Sequence, residues 1–147
     1  QDATNLRGKI AQIESRFEKE FSKVKKLFTY TKEAVWISLL ETKECVGCNL
    51  SGAHLKGANL QAANLEGANL QGADLEKANL QSTNLLAANL QGADLGKANI
   101  TRANLQRANL FDADLEKANL TDANIEGANL QGADLEGVIR PQRLITQ

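Results

Sequence analysis

Aromatic residues, methionine, histidine and proline are scarce in this chain of 147 residues. Aromatics make up 4% of it, and five of the six lie at or before Trp36, which leaves Phe111 as the only ring beyond. Methionine is absent, proline and histidine occur once each, and cysteine occurs twice. Because no methionine begins the chain, we expect that it was trimmed ahead of Gln1, by processing in the cell or by cloning.

Strong charge and long apolar runs are also missing. The chain holds 17 lysine or arginine residues and 18 aspartate or glutamate residues, a net charge of −1. This balance disfavours a nucleic-acid binder that is held by bulk positive charge. No stretch of 18 apolar residues is present, which disfavours a membrane span. A hydrophobic fraction of 42% suits one soluble domain.

A five-residue repeat occupies most of the chain. From Leu50 to Leu135 every fifth residue is Leu or Ile, eighteen in succession. Ala stands two residues before each, except at Cys48 and Thr83, and Asn or Asp stands one residue before, except at His54. On an α-helix, side chains five residues apart differ in direction by about 140°, and on a strand they point to opposite faces. Neither element would bring every Leu to one side. The backbone must therefore turn once per pentad and return each Leu to one interior.

A second period of twenty residues lies within the first. Asp replaces Asn in the repeat only at Asp74, Asp94, Asp114 and Asp134, and lysines follow the same step at Lys77, Lys97 and Lys117. Twenty residues are four pentads, which predicts a four-sided coil with one pentad per side. Coils stacked at about 4.8 Å would bury Leu in the middle of each side and Ala beside it.

The repeat resembles the pentapeptide-repeat family over residues 48–137. This resemblance implies a mainly β fold, a right-handed quadrilateral β-helix of about 4.5 coils that follows an N-terminal α-helical cap. The Leu-centred, Ala-rich version resembles members from cyanobacteria and chloroplasts. The segment from Leu39 to Ala53 resembles the approach to the first coil in exported members. The resemblance supplies no substrate, because most members of this kind have no assigned activity.

The ends of the chain are expected to cover the solenoid, which predicts three parts: a helical cap at 1–44, a β-helix at 45–137 and a C-terminal cap or tail at 138–147. Apolar residues at three- and four-residue steps predict an amphipathic helix over 5–28: Leu6, Ile10, Ile13, Phe17, Phe21, Val24 and Phe28. A break is expected at Tyr30 and Thr31, with Thr31 as the N-cap of a second helix over 32–43.

The second helix is expected to lie across the first coil, with Trp36, Leu39 and Leu40 on its apolar side. Trp36 and Leu40 should close the leucine interior. The first helix has a longer apolar side than one coil can cover, so it is also a candidate surface for a homodimer. At the other end Leu144 and Ile145 either fold over the last coil or leave it open for a second copy.

The two cysteines fit the repeat register. Cys45 takes a central Leu position, Cys48 an Ala position, and Val46 and Gly47 the corner between them. Their α-carbons should lie within about 7 Å across this turn, close to the range that a disulfide needs. We predict a Cys45–Cys48 disulfide and therefore an oxidising compartment. A redox Cys-x-x-Cys role is disfavoured because no βαβ pattern accompanies it, and two Cys with one His cannot form a four-ligand zinc site.

No catalytic constellation, cofactor site or metal site is predicted. His54 should be an exposed residue in line with Asp74, and a weak metal site with the aspartates is the lesser alternative. Stacked carboxylates repel one another, and Lys77, Lys97 and Lys117 can offset that repulsion. The outward Leu86 and Phe111, together with the four aspartates, are the candidate partner surface.

The leading functional hypothesis is a non-enzymatic module that binds or scaffolds an unknown protein in the periplasm or thylakoid lumen, after export and loss of a leader. The alternative is a cytoplasmic protein that mimics DNA and binds gyrase, an activity known in the family. Leu at every centre and mild acidity disfavour it: residues 49–137 hold six basic and eleven acidic side chains, whereas residues 1–44 hold nine and seven. No nucleic-acid partner is expected.

Overall fold

A computed structural model describes residues 2–28 and 32–141 of the chain. It contains two helices, α1 at Asp2–Phe28 and α2 at Lys32–Thr42, followed by a β-solenoid. The chain divides into two compact units, Gln1–Ala34 and Val35–Gln147, so most of α2 groups with the solenoid. Within the described ranges, neither helix is long and apolar enough to cross a bilayer.

The solenoid consists of twenty-residue coils that are stacked through parallel β-bridges. One residue in each pentad bridges the residue twenty positions later, from Glu44 with Asn64 to Asn119 with Ile139. The bridges are isolated, so each coil contributes short contacts instead of long strands. The twenty-residue step predicted from the aspartates is thereby confirmed. We call one set of stacked bridging residues the Asp column: His54, Asp74, Asp94, Asp114 and Asp134.

Backbone hydrogen bonds join each coil to the next in a recurring set. Leu65 N–H donates to Asn84 O at 2.8 Å, and Asn84 N–H donates back to Ala63 O at 2.9 Å. The Asn84 side-chain Oδ1 also accepts the N–H of Leu86, two residues later, at 3.1 Å. These bonds recur along the solenoid and satisfy backbone groups that would otherwise be buried without partners.

A β-turn closes each pentad, and its third residue takes a positive φ. Ala73 N–H donates to Leu70 O at 3.0 Å across one such turn. Gly47 and the corner glycines have φ between 64° and 74°: Gly52, Gly57, Gly67, Gly72, Gly92, Gly127, Gly132 and Gly137. Ten residues with a Cβ share this conformation: Ala62, Lys77, Ser82, Ala87, Lys97, Arg102, Arg107, Asp112, Lys117 and Asp122. The coil therefore imposes a left-handed residue on sequences that disfavour it by about 1–2 kcal/mol each.

Leucine and alanine fill the interior, as the repeat predicts. Every central Leu or Ile from Leu50 to Leu115 is at most 2% exposed. Thr83, which stands at an Ala position, is fully buried and donates from Oγ1 to Leu60 O at 2.7 Å, so its hydroxyl is satisfied. Leu, Ile and Ala take these inward positions, which accounts for the shortage of aromatics in the repeat.

The interior becomes more exposed toward the C-terminal end. Ile125, Leu130 and Leu135 are half-buried, and Ile139 is 54% exposed. The predicted contacts of Leu144 and Ile145 lie outside the described residues. The last described coil is therefore less well covered than the first.

At the N-terminal end α2 packs against the core through Val35, Trp36 and Leu39. Leu39 is fully buried, whereas Leu40 is 41% exposed, so the prediction that Leu40 closes the interior is wrong. Helical residues advance by about 100°, which places Leu39 between Val35 and Trp36 and turns Leu40 outward. α2 ends at Thr42, and Lys43, with a φ of 61°, donates its N–H to Leu39 O at 2.8 Å.

α1 carries the predicted line of apolar side chains. We call its described members the apolar stripe, and each is 52% to 67% exposed: Leu6, Ile10, Ile13, Phe17, Phe21 and Val24. The rings of Phe17 and Phe21 stack with their centroids 6.1 Å apart. The predicted role of the Phe28 side chain and the predicted break at Tyr30 and Thr31 lie outside what the structure describes.

Candidate functional site

The Asp column forms one line of stacked carboxylates along the solenoid. Each carboxylate is oriented in the same way, because its Oδ1 accepts the backbone N–H two residues later at 2.9 to 3.1 Å. Asp74, Asp94 and Asp114 are half-buried, and Asp134 is exposed. The repeat therefore holds four acidic groups about one coil spacing apart, about 4.8 Å.

The Asn columns of the solenoid differ from the Asp column in one hydrogen bond. Asn84 Nδ2 donates to Asn64 Oδ1, and Asn109 Nδ2 donates to Asn89 Oδ1, each at 3.3 Å. A carboxylate has no N–H to donate, so the Asp column lacks this link between coils. Its members repel one another instead, and cationic groups that approach them gain energy.

Gly96 opens a shallow cleft beside the Asp column. Glu76 and Glu116 occupy the matching positions one coil before and one coil after, so the missing side chain leaves a gap between them. The cleft measures about 220 Å³ and is lined by Glu76, Asp94, Gly96, Lys97, Asp114, Glu116 and Lys117. The predicted site residues do not include Glu76, Gly96 and Glu116, although their twenty-residue spacing is visible in the sequence.

Direct ion pairs are not what offsets the aspartate repulsion among the described residues. Within residues 4–24 and 34–141, no ion pair joins Lys77, Lys97 or Lys117 to a carboxylate. These lysines occupy exposed positions at the corners of the turns. The ion pair on this side of the solenoid is formed by Lys56 and Glu76, at 3.6 Å. Lys97 and Lys117 line the same cleft as Asp94 and Asp114, so they act on these carboxylates at a longer range than an ion pair.

Two groups of three carboxylates have ligand atoms within 4.8 Å of one another: Asp74 with Glu76 and Asp94, and Asp114 with Glu116 and Asp134. Neither group includes His54. His54 is exposed and bridges Asp74, as predicted. Its ring also makes an edge contact with Trp36, with centroids 5.5 Å apart, so it belongs to the junction between α2 and the first coil.

Leu86 and Phe111 do not join the Asp column. Both are half-buried, so they are less exposed than predicted, and they stand in turns at two other positions of the coil. Leu86 aligns with Glu66 and Gln106, one coil away on either side. Leu86 and Phe111 therefore stay separate candidates for partner contacts, apart from the Asp column and the cleft at Gly96.

Cys45 and Cys48 are joined by a disulfide across the first turn. The sulfur atoms are 2.06 Å apart and the α-carbons 5.2 Å apart. Cys48 N–H donates to Cys45 O at 3.2 Å, and Gly47 has a φ of 67°. The bridge thus ties together the turn with which the solenoid begins.

Replacing Asp94 by Asn should raise the free energy of unfolding by about 0.5–1 kcal/mol. The substitution removes like-charge repulsion and restores the amide donor that the Asn columns have. Urea unfolding at low and high salt measures the effect, which should shrink at high salt. The converse change, Asn89→Asp, is the matched control and should destabilise. A loss of stability in Asp94→Asn would contradict this description of the Asp column.

Comparison with known proteins identifies the repeat. The family model described as pentapeptide repeats matches eight copies, in overlapping segments that together span residues 44–139. No curated protein matches the chain. The family match covers more than half of the chain and agrees with the five-residue period.

Solved structures of pentapeptide repeat proteins are similar to this chain. Rfr23 from the cyanobacterium Cyanothece 51142 is 30% identical, with 74% of this chain and 94% of that chain covered and a TM-score of 0.63. A pentapeptide repeat protein from the Arabidopsis thaliana thylakoid lumen is also 30% identical, with 69% and 74% covered and a TM-score of 0.53. QnrB1, a plasmid-mediated fluoroquinolone resistance protein, is 24% identical, with 65% of this chain and 61% of that chain covered and a TM-score of 0.26. Proteins of this family form right-handed β-helices. The chain therefore belongs to the pentapeptide repeat family.

Proposed function

We propose that this chain is a non-enzymatic protein-binding module of an oxidising compartment, either the periplasm or the thylakoid lumen. The observation that carries the proposal is the Asp column, a line of fixed carboxylates on a solenoid whose other columns present asparagine. The partner is a protein with a basic segment, because cationic side chains relieve the repulsion within the column.

The cleft at Gly96 adds a concave surface beside the negative charge of the Asp column. Four carboxylates line it, those of Glu76, Asp94, Asp114 and Glu116, against the two ammonium groups of Lys97 and Lys117. A lysine or arginine side chain from a partner would therefore meet an excess of acceptors. A rigid backbone holds these acceptors in place before binding, which lowers the ordering cost of association. The same arrangement offers no nucleophile and general base side by side, which supports a binding role over a catalytic one.

The disulfide supports the choice of compartment. Disulfides persist in oxidising compartments and are rare in the cytosol. A relative of 30% identity comes from the thylakoid lumen. Alkylation of the purified chain without reductant tests this part of the proposal: no free thiol is expected, and two labelled thiols would contradict it.

We propose further that the coil is quadrilateral, with one pentad per side. Four bridges and four turns in each twenty-residue coil support this geometry. In this scheme residues 1–44 are the helical cap, residues 45–137 the β-helix and residues 138–147 the tail. Trp36 and Leu39 of α2 close the first coil from one side.

A photo-cross-linking experiment tests the binding proposal. A benzophenone amino acid in place of Lys97, in the cleft, is expected to cross-link a protein from a periplasmic or lumenal extract. The Asp94→Asn/Asp114→Asn variant should lose the product. The matched control adds Asn89→Asp and Asn109→Asp to that variant, which restores the net charge in a neighbouring column and should not restore the product. Equal cross-linking by all three chains would refute the Asp column as the binding surface.

DNA mimicry towards gyrase remains the alternative, and it is disfavoured by the Leu centres and the mild charge. A supercoiling assay with purified gyrase separates the two ideas. Clear inhibition at low micromolar protein would overturn the proposed function.

A further inference from the structure

We propose that α1 is a membrane-surface helix whose apolar stripe inserts into an anionic lipid surface. The six side chains of the stripe are each more than half exposed, although they are the large apolar residues of the helix as far as Val24. Contiguous exposed apolar surface marks an interaction site more often than scattered single residues do. The stripe extends from Leu6 to Val24, about 27 Å along the helix axis.

The stripe leaves the heptad pattern at Phe21. Its five steps are 4, 3, 4, 4 and 3 residues, so an apolar residue stands at Phe21 and not at Glu20, where a heptad would need it. A stripe of this kind covers a broader side of the helix than the narrow a/d seam of a coiled coil. A broad apolar side suits a bilayer surface.

Glu20 opposes pairing with a second copy. If Ile10, Phe17 and Val24 occupy the a positions of a heptad, Glu20 takes a d position, where the seam of a coiled coil is apolar. Two copies would bring two Glu20 carboxylates together. In the single chain Glu20 pairs with Lys23 at 3.8 Å, at the edge of the stripe, where headgroups and water would surround it.

The charge of α1 fits an anionic lipid surface. Its sequence holds seven lysine or arginine residues and four aspartate or glutamate residues. Lys9, Arg16 and Lys23 recur at seven-residue steps, which places them together along one flank of the stripe. Long basic side chains reach headgroups while their stems cover apolar surface. An apolar side that contains phenylalanine with a basic polar side is typical of helices that lie in the membrane interface.

This inference is independent of the proposed function, because it uses α1 and not the Asp column. A surface helix would hold the module at a membrane while the solenoid binds its protein partner. It is also consistent with the absence of a spanning helix among residues 2–28 and 32–141, because an interfacial helix does not cross the bilayer.

Vesicle flotation of the full chain tests the inference. The chain should float with vesicles of phosphatidylcholine mixed with phosphatidylglycerol, and much less with phosphatidylcholine alone. Phe17→Ser/Phe21→Ser should lower the partition coefficient by about tenfold or more. Lys9→Gln/Arg16→Gln/Lys23→Gln should lower it by about tenfold to 100-fold on the anionic vesicles only, and added salt should weaken the parent in the same way.

Two controls accompany these variants. Val46→Ser removes an apolar side chain of similar exposure, 58%, from the solenoid, and it should float like the parent. Asp94→Asn/Asp114→Asn should also float like the parent, which separates this inference from the proposed function. Light scattering after size exclusion reports the oligomeric state in the absence of lipid.

Several results would overturn the inference. These are no flotation of the parent on anionic vesicles, equal flotation of Phe17→Ser/Phe21→Ser, or an equal loss in Val46→Ser. A stable dimer that Phe17→Ser/Phe21→Ser dissociates, without vesicle binding by the parent, would assign the stripe to a second copy of the chain.

Discussion

Replacing Leu85 by Ala is expected to lower the free energy of unfolding by about 2–5 kcal/mol. Leu85 is fully buried in the middle of the stack, with coils on either side. The backbone that surrounds it is fixed by bonds between coils, so the interior cannot collapse around the missing carbons. Urea unfolding followed by circular dichroism gives the change in midpoint and in free energy.

The neighbouring residue provides the matched control. Leu86 has the same side chain but stands in the turn and is half-buried. Leu86→Ala should cost less than about 1 kcal/mol. Because the two substitutions remove the same atoms one residue apart, the difference between them reports the direction of each side chain. Equal costs would contradict the assignment of inward and outward positions.

Reducing the Cys45–Cys48 disulfide is expected to lower the free energy of unfolding by about 2 kcal/mol. The bridge closes a short loop, so the entropy that it removes from the unfolded chain is modest. Its position adds to its importance, since it fixes the first turn, from which Cys45 N–H donates to Asn64 O in the next coil at 2.8 Å. Unfolding with and without a phosphine reductant measures the effect.

A variant with the usual repeat residues at both cysteine positions serves as the control for reduction. Cys45→Leu/Cys48→Ala places the usual central and small residues at these two positions and cannot form the bridge. Its stability should not respond to reductant, whereas that of the parent should fall. If reductant leaves the parent unchanged, the disulfide does not stabilise the first turn.

The periodic features of the fold could be predicted from the sequence because each pentad has the same pattern of inward and outward residues. Leu at every fifth residue fixes the interior, and the twenty-residue step of Asp74 and its equivalents fixes the coil. The register of Cys45 and Cys48 in the same code places the disulfide. These predictions use many copies of one signal, so a single deviation does not disturb them.

The features that were missed occur once or depend on side-chain direction. Leu39 and Leu40 are adjacent leucines in one helix, and only packing against the first coil decides which is buried. Lys97 and its equivalents follow the aspartates in sequence, and only the structure shows that the turn sets them at exposed corners with no ion pair within residues 4–24 and 34–141. Gly96 looks like another corner glycine, but it precedes the corner and opens a cleft because its neighbours one coil away are glutamates.

Residues eighty positions apart lie in one column, four coils from each other. Spin labels at Lys56→Cys and Glu136→Cys test it, because both sites are exposed and the native cysteines are bridged to each other. Four coils at about 4.8 Å predict an α-carbon separation of about 19 Å, and so a single narrow distribution near that value, widened only by the label arms. A broad distribution, or a main distance several times longer, would contradict the stacked coils.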